Sequence, residues 1–346
     1  MSAPRIAVLG AGANGAAIGA DLTLAGEDVT LIEQWPEHVE AMRERGVTIT
    51  MPGETLVVPV RVMHLCEVAT LREAFDLVLV LVKAYDTRWA VQLIEPYLAP
   101  DGLVAGVQNG MTIDVVADVV GPERTMGCVI EITGMMMEPG VVQRHSGHDR
   151  SWFAVGAIDD ATRGREGEIA RLLAHSGTVE VVEDIIATKW MKLVSSATTL
   201  VTTAILGLSM VEADRLPAMR ELMIRSGEEA LEATTLLGNP TLPIFGLRPA
   251  EVATHSTVVP TLLDTLLGGF VMPDSITTIL QDWMKGRHSE VNELNGHVVE
   301  TLAALGRPAP VNAAVVDFAH RIERGEIEPS PAHLGALLEA AGIRGL

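Results

Sequence analysis

Short, largely apolar runs recur through the first half of the chain: Ile6-Ala7-Val8-Leu9, Val29-Thr30-Leu31-Ile32, Leu77-Val78-Leu79-Val80-Leu81-Val82 and Leu103-Val104-Ala105-Gly106-Val107. The third shows no polar/apolar alternation at all, the pattern of a strand covered on both faces, as in a parallel sheet. Between the second and third, a helix is predicted around His38 to Arg45, then β-like runs at Val47-Thr48-Ile49-Thr50 and Leu56-Val57-Val58-Pro59-Val60, which suit extra strands at one side of the same sheet. Thr125 to Met137 and Gly140 to Val155 read as two further strands joined by a turn at Glu138-Pro139-Gly140. An amphipathic helix from Glu168 to Ser176 and a strand at Val179-Glu180-Val181-Val182 follow.

Past Val182 the pattern changes. Residues 185–236 and 275–305 carry helical periodicity, Gly238-Asn239-Pro240 and Arg248-Pro249 break it, and Met272-Pro273-Asp274-Ser275 reads as the N-cap of a long helix. Pro331 to Ala340 predicts one more helix near the C-terminus. The expected fold class is therefore α/β: a Rossmann-type doubly wound sheet over residues 1–182, followed by an all-α domain over residues 183–346.

The first apolar run opens onto Gly10-Ala11-Gly12-Ala13-Asn14-Gly15 and a helical pattern. In such a strand–turn–helix unit the first glycine permits the turn, the second lets backbone approach a pyrophosphate, and the third packs helix on strand. Phosphates would sit on the helix N-terminus, where N–H groups and dipole favour negative charge, so Gly10, Gly12, Ala13, Asn14 and Gly15 are the candidate cofactor-binding turn. Glu33 ends the second strand about twenty residues on, where an acidic side chain grips the adenosine ribose. A carboxylate there accepts hydrogen bonds from a free 2′-hydroxyl and repels a 2′-phosphate. Gln34, Trp35 and His38 supply no obvious cation, so NAD(H) is favoured over NADP(H).

Charge and cysteine content narrow the partners. A formal charge of −20, from 25 basic and 45 acidic residues, makes nucleic acid and anionic membranes poor partners. The two cysteines, Cys66 and Cys128, form no CxxC pair and stand in no His/Cys cluster, so neither a disulfide nor a metal site is expected. Leu193 to Met210, the stretch nearest to a membrane-spanning run, is interrupted by Ser and Thr and reads as a buried helix. The N-terminus runs almost directly into the first strand, and the protein is expected to be cytoplasmic.

Candidate chemistry falls in four places. Lys83 and Asn109 follow the ends of two apolar strands, where open α/β sheets bind ligands; Lys83 alone could equally be a surface lysine, and Asn109-Gly110 simply a turn. Lys189, Lys192 and Ser196 share one helical face. Thr278, Gln281 or Asp282, Lys285 and Glu290 recur near the helical period, a spacing that by itself describes a solvated face with i,i+3 ion pairs better than a site.

Taken in order, Gly10 to Gly15, Val82-Lys83, Gln108-Asn-Gly-Met111, Pro139-Gly140, Trp190-Met-Lys-Leu193 and Leu280-Gln-Asp through His288-Ser-Glu290 resemble the ketopantoate reductase family over nearly the whole chain. That resemblance implies a Rossmann domain with a helical C-terminal domain and an NAD(P)-dependent oxidoreductase. Carried over, Lys192 matches the family's catalytic lysine, Asn109 an asparagine near nicotinamide and substrate, and Lys83 a lysine on the cofactor side of the cleft. Glu290 matches a glutamate facing the substrate, and Thr278 stands where a substrate-binding serine is usual. Ser196 and Leu200 occupy the positions of two asparagines that help bind ketopantoate, which implies a bulkier or less hydroxylated substrate.

The function expected is hydride transfer between nicotinamide C4 and the carbonyl or carbinol carbon of a 2-oxo or 2-hydroxy acid, in a homodimer acting on a small molecule. The alternative is an NAD-dependent dehydrogenase of another secondary alcohol in a catabolic route. A non-catalytic nucleotide sensor ranks below both, because Lys192 and Glu290 are both retained.

Overall fold

The computed structural model describes residues 3–343. The chain divides into two compact units: the described residues up to Gln108 with Thr112–Ile186, and Asn109–Met111 with the described residues from Ala187 onward.

Among the described residues the first unit holds twelve strands: β1 (Arg5–Leu9), β2 (Asp28–Glu33), β3 (Val47–Met51), β4 (Glu54–Val58), β5 (Val62–His64), β6 (Phe75–Val80), β7 (Leu98–Gly106), β8 (Thr125–Glu131), β9 (Gly134–Glu138), β10 (Val141–Arg144), β11 (Trp152–Ala157) and β12 (Thr178–Val181). Eight of them form one sheet in the order β12-β11-β8-β7-β6-β1-β2-β5. Every neighbouring pair in it is parallel except β11 with β8. Helices α1 (Ala13–Leu24), α2 (Pro36–Arg45), α3 (Thr87–Ile94), α4 (Ile113–Val120) and α5 (Glu166–Leu173) make the connections. Ile6, Val8, Leu77, Leu79 and Leu103 belong to one buried cluster, and Ala7, Leu9, Val78, Val80 and Val104 to another. Successive residues of a strand thus enter separate cores, which is why these strands read as unbroken apolar runs.

Two expectations about this unit are corrected. The runs beginning at Val47 and Leu56 do not extend the eight-stranded sheet: β3 and β4 join β9 and β10 in a separate four-stranded sheet, in the order β4-β3-β10-β9. The strand that flanks β2 is the three-residue β5, too short to give a periodic signal. The spans 125–137 and 140–155 each hold two strands, with the chain leaving the large sheet after Glu131 and returning at Trp152. Thr133 marks the departure: its N–H donates to Ser146 Oγ and its carbonyl accepts from His145 N. The hairpin turn at Glu138-Pro139-Gly140 forms where the sequence places it, with Gly140 at φ +78°.

The second unit is helical: α6 (Ile185–Ile205), which begins at the boundary, then α7 (Met210–Asp214), α8 (Pro217–Leu236), α9 (His255–Gly269), α10 (Thr278–Met284), α11 (His297–Ala304), α12 (Pro310–Glu323) and α13 (Leu334–Ala340), with a π-helical turn at Asn292–Gly296. Almost every residue of α6 is buried, although it is rich in serine and threonine. The hydroxyls of Thr198, Thr199, Thr202 and Thr203 donate to the carbonyls of Val194, Ser195, Thr198 and Thr199 at 2.7–3.0 Å, so the buried helix satisfies these side chains itself. The expected cap at 272–275 is also corrected. Ser275 Oγ accepts from Met272 N in a local turn, whereas Thr277 caps α10 by accepting from Leu280 N, and α10 runs for only seven residues.

Candidate active site

The glycine turn lies where the sheet order reverses, between β1 and β6, the place at which open α/β sheets bind nucleotides. Gly10 sits at φ +94°, and a Cβ there would come within 2.6 Å of Val82 N. A Cβ on Gly15 would fall 1.9 Å from the Gly10 carbonyl oxygen, so the close helix–strand contact admits glycine only. Gly12 differs: its Cβ would meet nothing within 4 Å. Sterics within the protein do not require glycine there, and the open space is what a pyrophosphate's close approach needs. Gly12 is also the N-cap of α1 and caps it with no side chain, which leaves the first-turn amides of Ala13, Asn14 and Gly15 suited to an anion. The turn therefore fits a dinucleotide.

Glu33, 7% exposed, does more than end β2. Its Oε2 accepts from Ala11 N at 2.7 Å, and its Oε1 accepts from Gln34 N and Trp35 N, both at 2.9 Å. Three of the roughly four acceptor positions of a carboxylate are thus occupied by backbone. Lys83 is half-buried at the N-cap of a 3₁₀ turn, Ala84–Asp86, just beyond β6. Gln108, just past the end of β7, fastens that segment by donating to Val82 O at 2.6 Å and Thr87 Oγ1 at 2.9 Å.

In the helical unit, Lys192 is 7% exposed on α6. Its Nζ donates to Asn109 Oδ1 at 3.3 Å and to Ser196 Oγ at 3.2 Å. Asn109 reaches it from a turn in which Gly110 takes φ +73°. Lys189, one helical turn earlier, is buried as well. Leu200 is half-buried, and its carbonyl accepts from Thr277 Oγ1 at 2.9 Å, which ties the α10 cap to α6.

Thr278 is half-buried at the start of α10 and Glu290 is buried, but they do not share one helix. The helix ends at Met284, and Glu290 lies between it and the π-helical turn, so their helical spacing has no structural counterpart. What holds this segment is Glu323, at the end of α12. It accepts from Ser289 N at 3.0 Å, Ser289 Oγ at 2.6 Å and Trp283 Nε1 at 3.3 Å, and pairs with His288 Nδ1 at 3.3 Å. Beside it, burial raises the pKa of Glu293, with the Glu290 charge adding to the rise; its Oε2 is buried and accepts no hydrogen bond. Among the described residues no His/Cys/Asp/Glu group is placed to hold a metal ion.

The parts played by Gln108 and Glu323 carry no signal in the sequence pattern. Gln108 stands inside a stretch that the motifs single out, but Glu323 is brought to its loop only by the tertiary fold.

A doubly wound sheet with an open glycine turn at its switch point is a dinucleotide-binding domain. Residues 6–158 match the family description ketopantoate reductase PanE/ApbA, and residues 184–323 match ketopantoate reductase PanE/ApbA C terminal. The 2-dehydropantoate 2-reductase of Caulobacter vibrioides is 29% identical over 90% of this chain and 96% of its own, and that of Pyrococcus horikoshii 25% identical over 89% and 94%. Among solved structures, D-mandelate dehydrogenase with NADH and anilino(oxo)acetate aligns at TM-score 0.82 and 19% identity, covering 93% of this chain and 99% of that one. The PanE/ApbA family ketopantoate reductase from Ralstonia eutropha JMP134 aligns at 0.77 and 25% with the same coverage. The chain belongs to the ketopantoate reductase family, and is an NAD(P)-dependent oxidoreductase of that type.

Proposed function

We propose that this enzyme transfers hydride to or from the carbonyl or carbinol carbon of a 2-oxo or 2-hydroxy acid, with NAD(H) as the preferred cofactor and Lys192 as the acid/base. The observation that carries the reading is the buried Lys192 ammonium held by Asn109 and Ser196. These two acceptors are uncharged, and they orient the ammonium. The nicotinamide, when bound, supplies or accepts the hydride at C4. As negative charge grows on the substrate oxygen, the Lys192 ammonium stabilises it and delivers a proton to it; in the oxidative direction the neutral amine takes that proton back. Asn109 also orients the substrate side of the site. Glu290, held in place through Ser289 and Glu323, binds a substrate hydroxyl or supports Lys192, and Thr278 and Ser196 offer hydroxyls to the substrate.

On the cofactor side, Gly10, Gly12, Ala13, Asn14 and Gly15 receive the pyrophosphate, with Lys83 nearby on the next strand end. Glu33 favours NAD(H), because its negative charge opposes a 2′-phosphate and its remaining acceptor position suits a free ribose hydroxyl. A homodimer in the cytoplasm completes the reading, and light scattering on the purified protein measures the first part. Among the described residues no helix is long and apolar enough to cross a membrane.

The deciding experiment is steady-state oxidation of NADH with ketopantoate and a panel of 2-oxo acids, NADPH run in parallel. Wild-type turnover with Lys192→Ala reduced by about a hundredfold or more in kcat is expected. Full turnover by Lys192→Ala removes that residue from the mechanism. A second reading, oxidation of a different and bulkier secondary alcohol with NAD, is favoured by Ser196 and Leu200 where ketopantoate-binding asparagines are usual. Turnover of such alcohols, with none of ketopantoate, selects it.

A further inference from the structure

His38 and the Pro139-Gly140 turn have no part in the chemistry so far, yet they meet behind the glycine turn. His38, on α2, is fully buried at 0% exposure. Its Nδ1 accepts a hydrogen bond from Gly140 N at 2.8 Å, so Nδ1 carries no proton and the ring is the neutral Nε2–H tautomer. Nε2 accordingly donates to the carbonyl oxygen of Ala11, at 2.8 Å. The same residue, Ala11, donates its N–H to Glu33 Oε2 at 2.7 Å. Ala11 stands between Gly10 and Gly12, and it is fixed at both ends, N–H by Glu33 and C=O by His38.

The far side of this contact is also fixed. Gly140 adopts φ +78°, a Cβ on it would lie 3.0 Å from Ala41 Cβ, and its carbonyl accepts from Thr48 N at 2.8 Å. The turn between β9 and β10 is thereby anchored to α2 and to β3. The Trp35 ring, 5.8 Å from the imidazole between centroids, covers it further.

We propose that His38 is a positioning residue for cofactor binding: it transmits the rigidity of the small sheet, through the Gly140 N–H, to the phosphate-binding turn, and presets that turn before the dinucleotide arrives. A flexible Gly-Ala-Gly turn loses conformational entropy when it closes around a ligand, and a clamp that orders it beforehand lowers that loss. The benefit appears in cofactor affinity and not in the chemical step.

The inference rests on this turn being the cofactor's phosphate site, and the experiment separates the two. In the cofactor-free wild type, hydrogen exchange followed by mass spectrometry or NMR reports the Ala11 and Gly140 amides; slow exchange of both is expected before any NADH is added. Exchange at the rate of open loops, with protection appearing only on NADH addition, overturns the preset clamp without any variant. NADH binding is then measured by calorimetry. His38→Leu keeps most of the volume but neither hydrogen bond, and is expected to raise the NADH Kd and KM by about tenfold with a much smaller change in kcat and in the KM of the carbonyl substrate. His38→Gln can donate to Ala11 O and accept from Gly140 N, and is expected to recover most of the affinity. Equal losses in cofactor and substrate KM, or an unchanged NADH Kd in a folded His38→Leu, overturn the proposal. Failure of the wild type to bind NADH or NADPH refutes the cofactor-site reading itself.

Discussion

At the scale of single residues, Glu33 shows how one side chain ties together the end of a strand and the turn beside it. With Ala11, Gln34 and Trp35 amides on its two oxygens, it is an acceptor in three directions, and an amide cannot replace it. Glu33→Gln would turn an N–H₂ group toward at least one backbone N–H. The expected outcome is a loss of NADH affinity of about tenfold or more, with NADPH affinity failing to rise to the level NADH had, both read by calorimetry. If Glu33→Gln leaves NADH untouched and strengthens NADPH, the carboxylate acts only through repulsion of the 2′-phosphate. Glu33 is legible in the sequence as a candidate ribose ligand, because strand, turn, helix and strand all lie close together in the chain. Its bonds to Gln34 and Trp35 are equally local, but nothing in a residue's type shows that its backbone neighbours turn back upon it. His38 stands out in the sequence only for not being a firm cation; its role depends on Gly140, 102 residues away, and no periodicity carries such a pairing.

Among elements, the fold is most legible where burial on both faces imposes a continuous apolar run, as in β6, and least legible where pairing is non-local. β3 and β4 look like any short strands; their partners β9 and β10 lie far along the chain, and an alternating pattern does not specify which edge it will join. The small sheet is fastened to α1 by a buried ion pair that the pattern does not reveal either. Arg144, whose side chain is 0% exposed, donates from Nη1 to Asp21 Oδ2 at 2.7 Å, from Nε to Ser146 O at 2.9 Å and from Nη2 to Ser151 Oγ at 3.0 Å and to Ser176 O. Asp21 also accepts from Ser176 Oγ at 2.7 Å and pairs with His148 Nε2 at 3.0 Å. Removing one member strands a buried charge and several polar groups, so Arg144→Met is expected to cost about 3–5 kcal/mol of unfolding free energy. The double variant Arg144→Met/Asp21→Leu is expected to cost clearly less than the sum of the singles, since it removes both charges. Urea denaturation of the four proteins checks this, and strict additivity counts against a coupled pair.

For the whole molecule, stability against pH depends on which carboxylates the fold has taken from water. Exposed residues such as Glu212 and Glu251 are held below the ordinary carboxylate range by hydrogen bonds from Ser209 and Arg248, and contribute stability above that range which is lost on acidification. Glu293 and Glu229 run the other way, because burial raises both. A carboxyl whose folded pKa lies above its unfolded one contributes stability that is complete below the unfolded pKa and disappears as pH rises through the folded one. Glu229 is compensated, since it accepts from Val311 N, Asn312 N and Asn312 Nδ2 at 2.7–2.9 Å and so caps α12. Glu293 has an oxygen that is buried and accepts nothing, and the charges of Glu290 and Glu323 oppose its ionisation, while His288 favours it. Glu293→Gln removes the ionisation without removing the bulk. Its unfolding free energy, from urea curves at a series of pH values, is expected to fall less than that of the wild type between the ordinary carboxylate pKa and neutrality, and to exceed it at pH about 7–8. Parallel curves over that interval would mean that Glu293 is as well solvated folded as unfolded. Because Glu293 adjoins the segment that carries Glu290, the same series run with catalytic assays tests whether the proton taken up there is felt at the site: the acid limb of kcat/KM should shift in Glu293→Gln only if the two carboxylates titrate together.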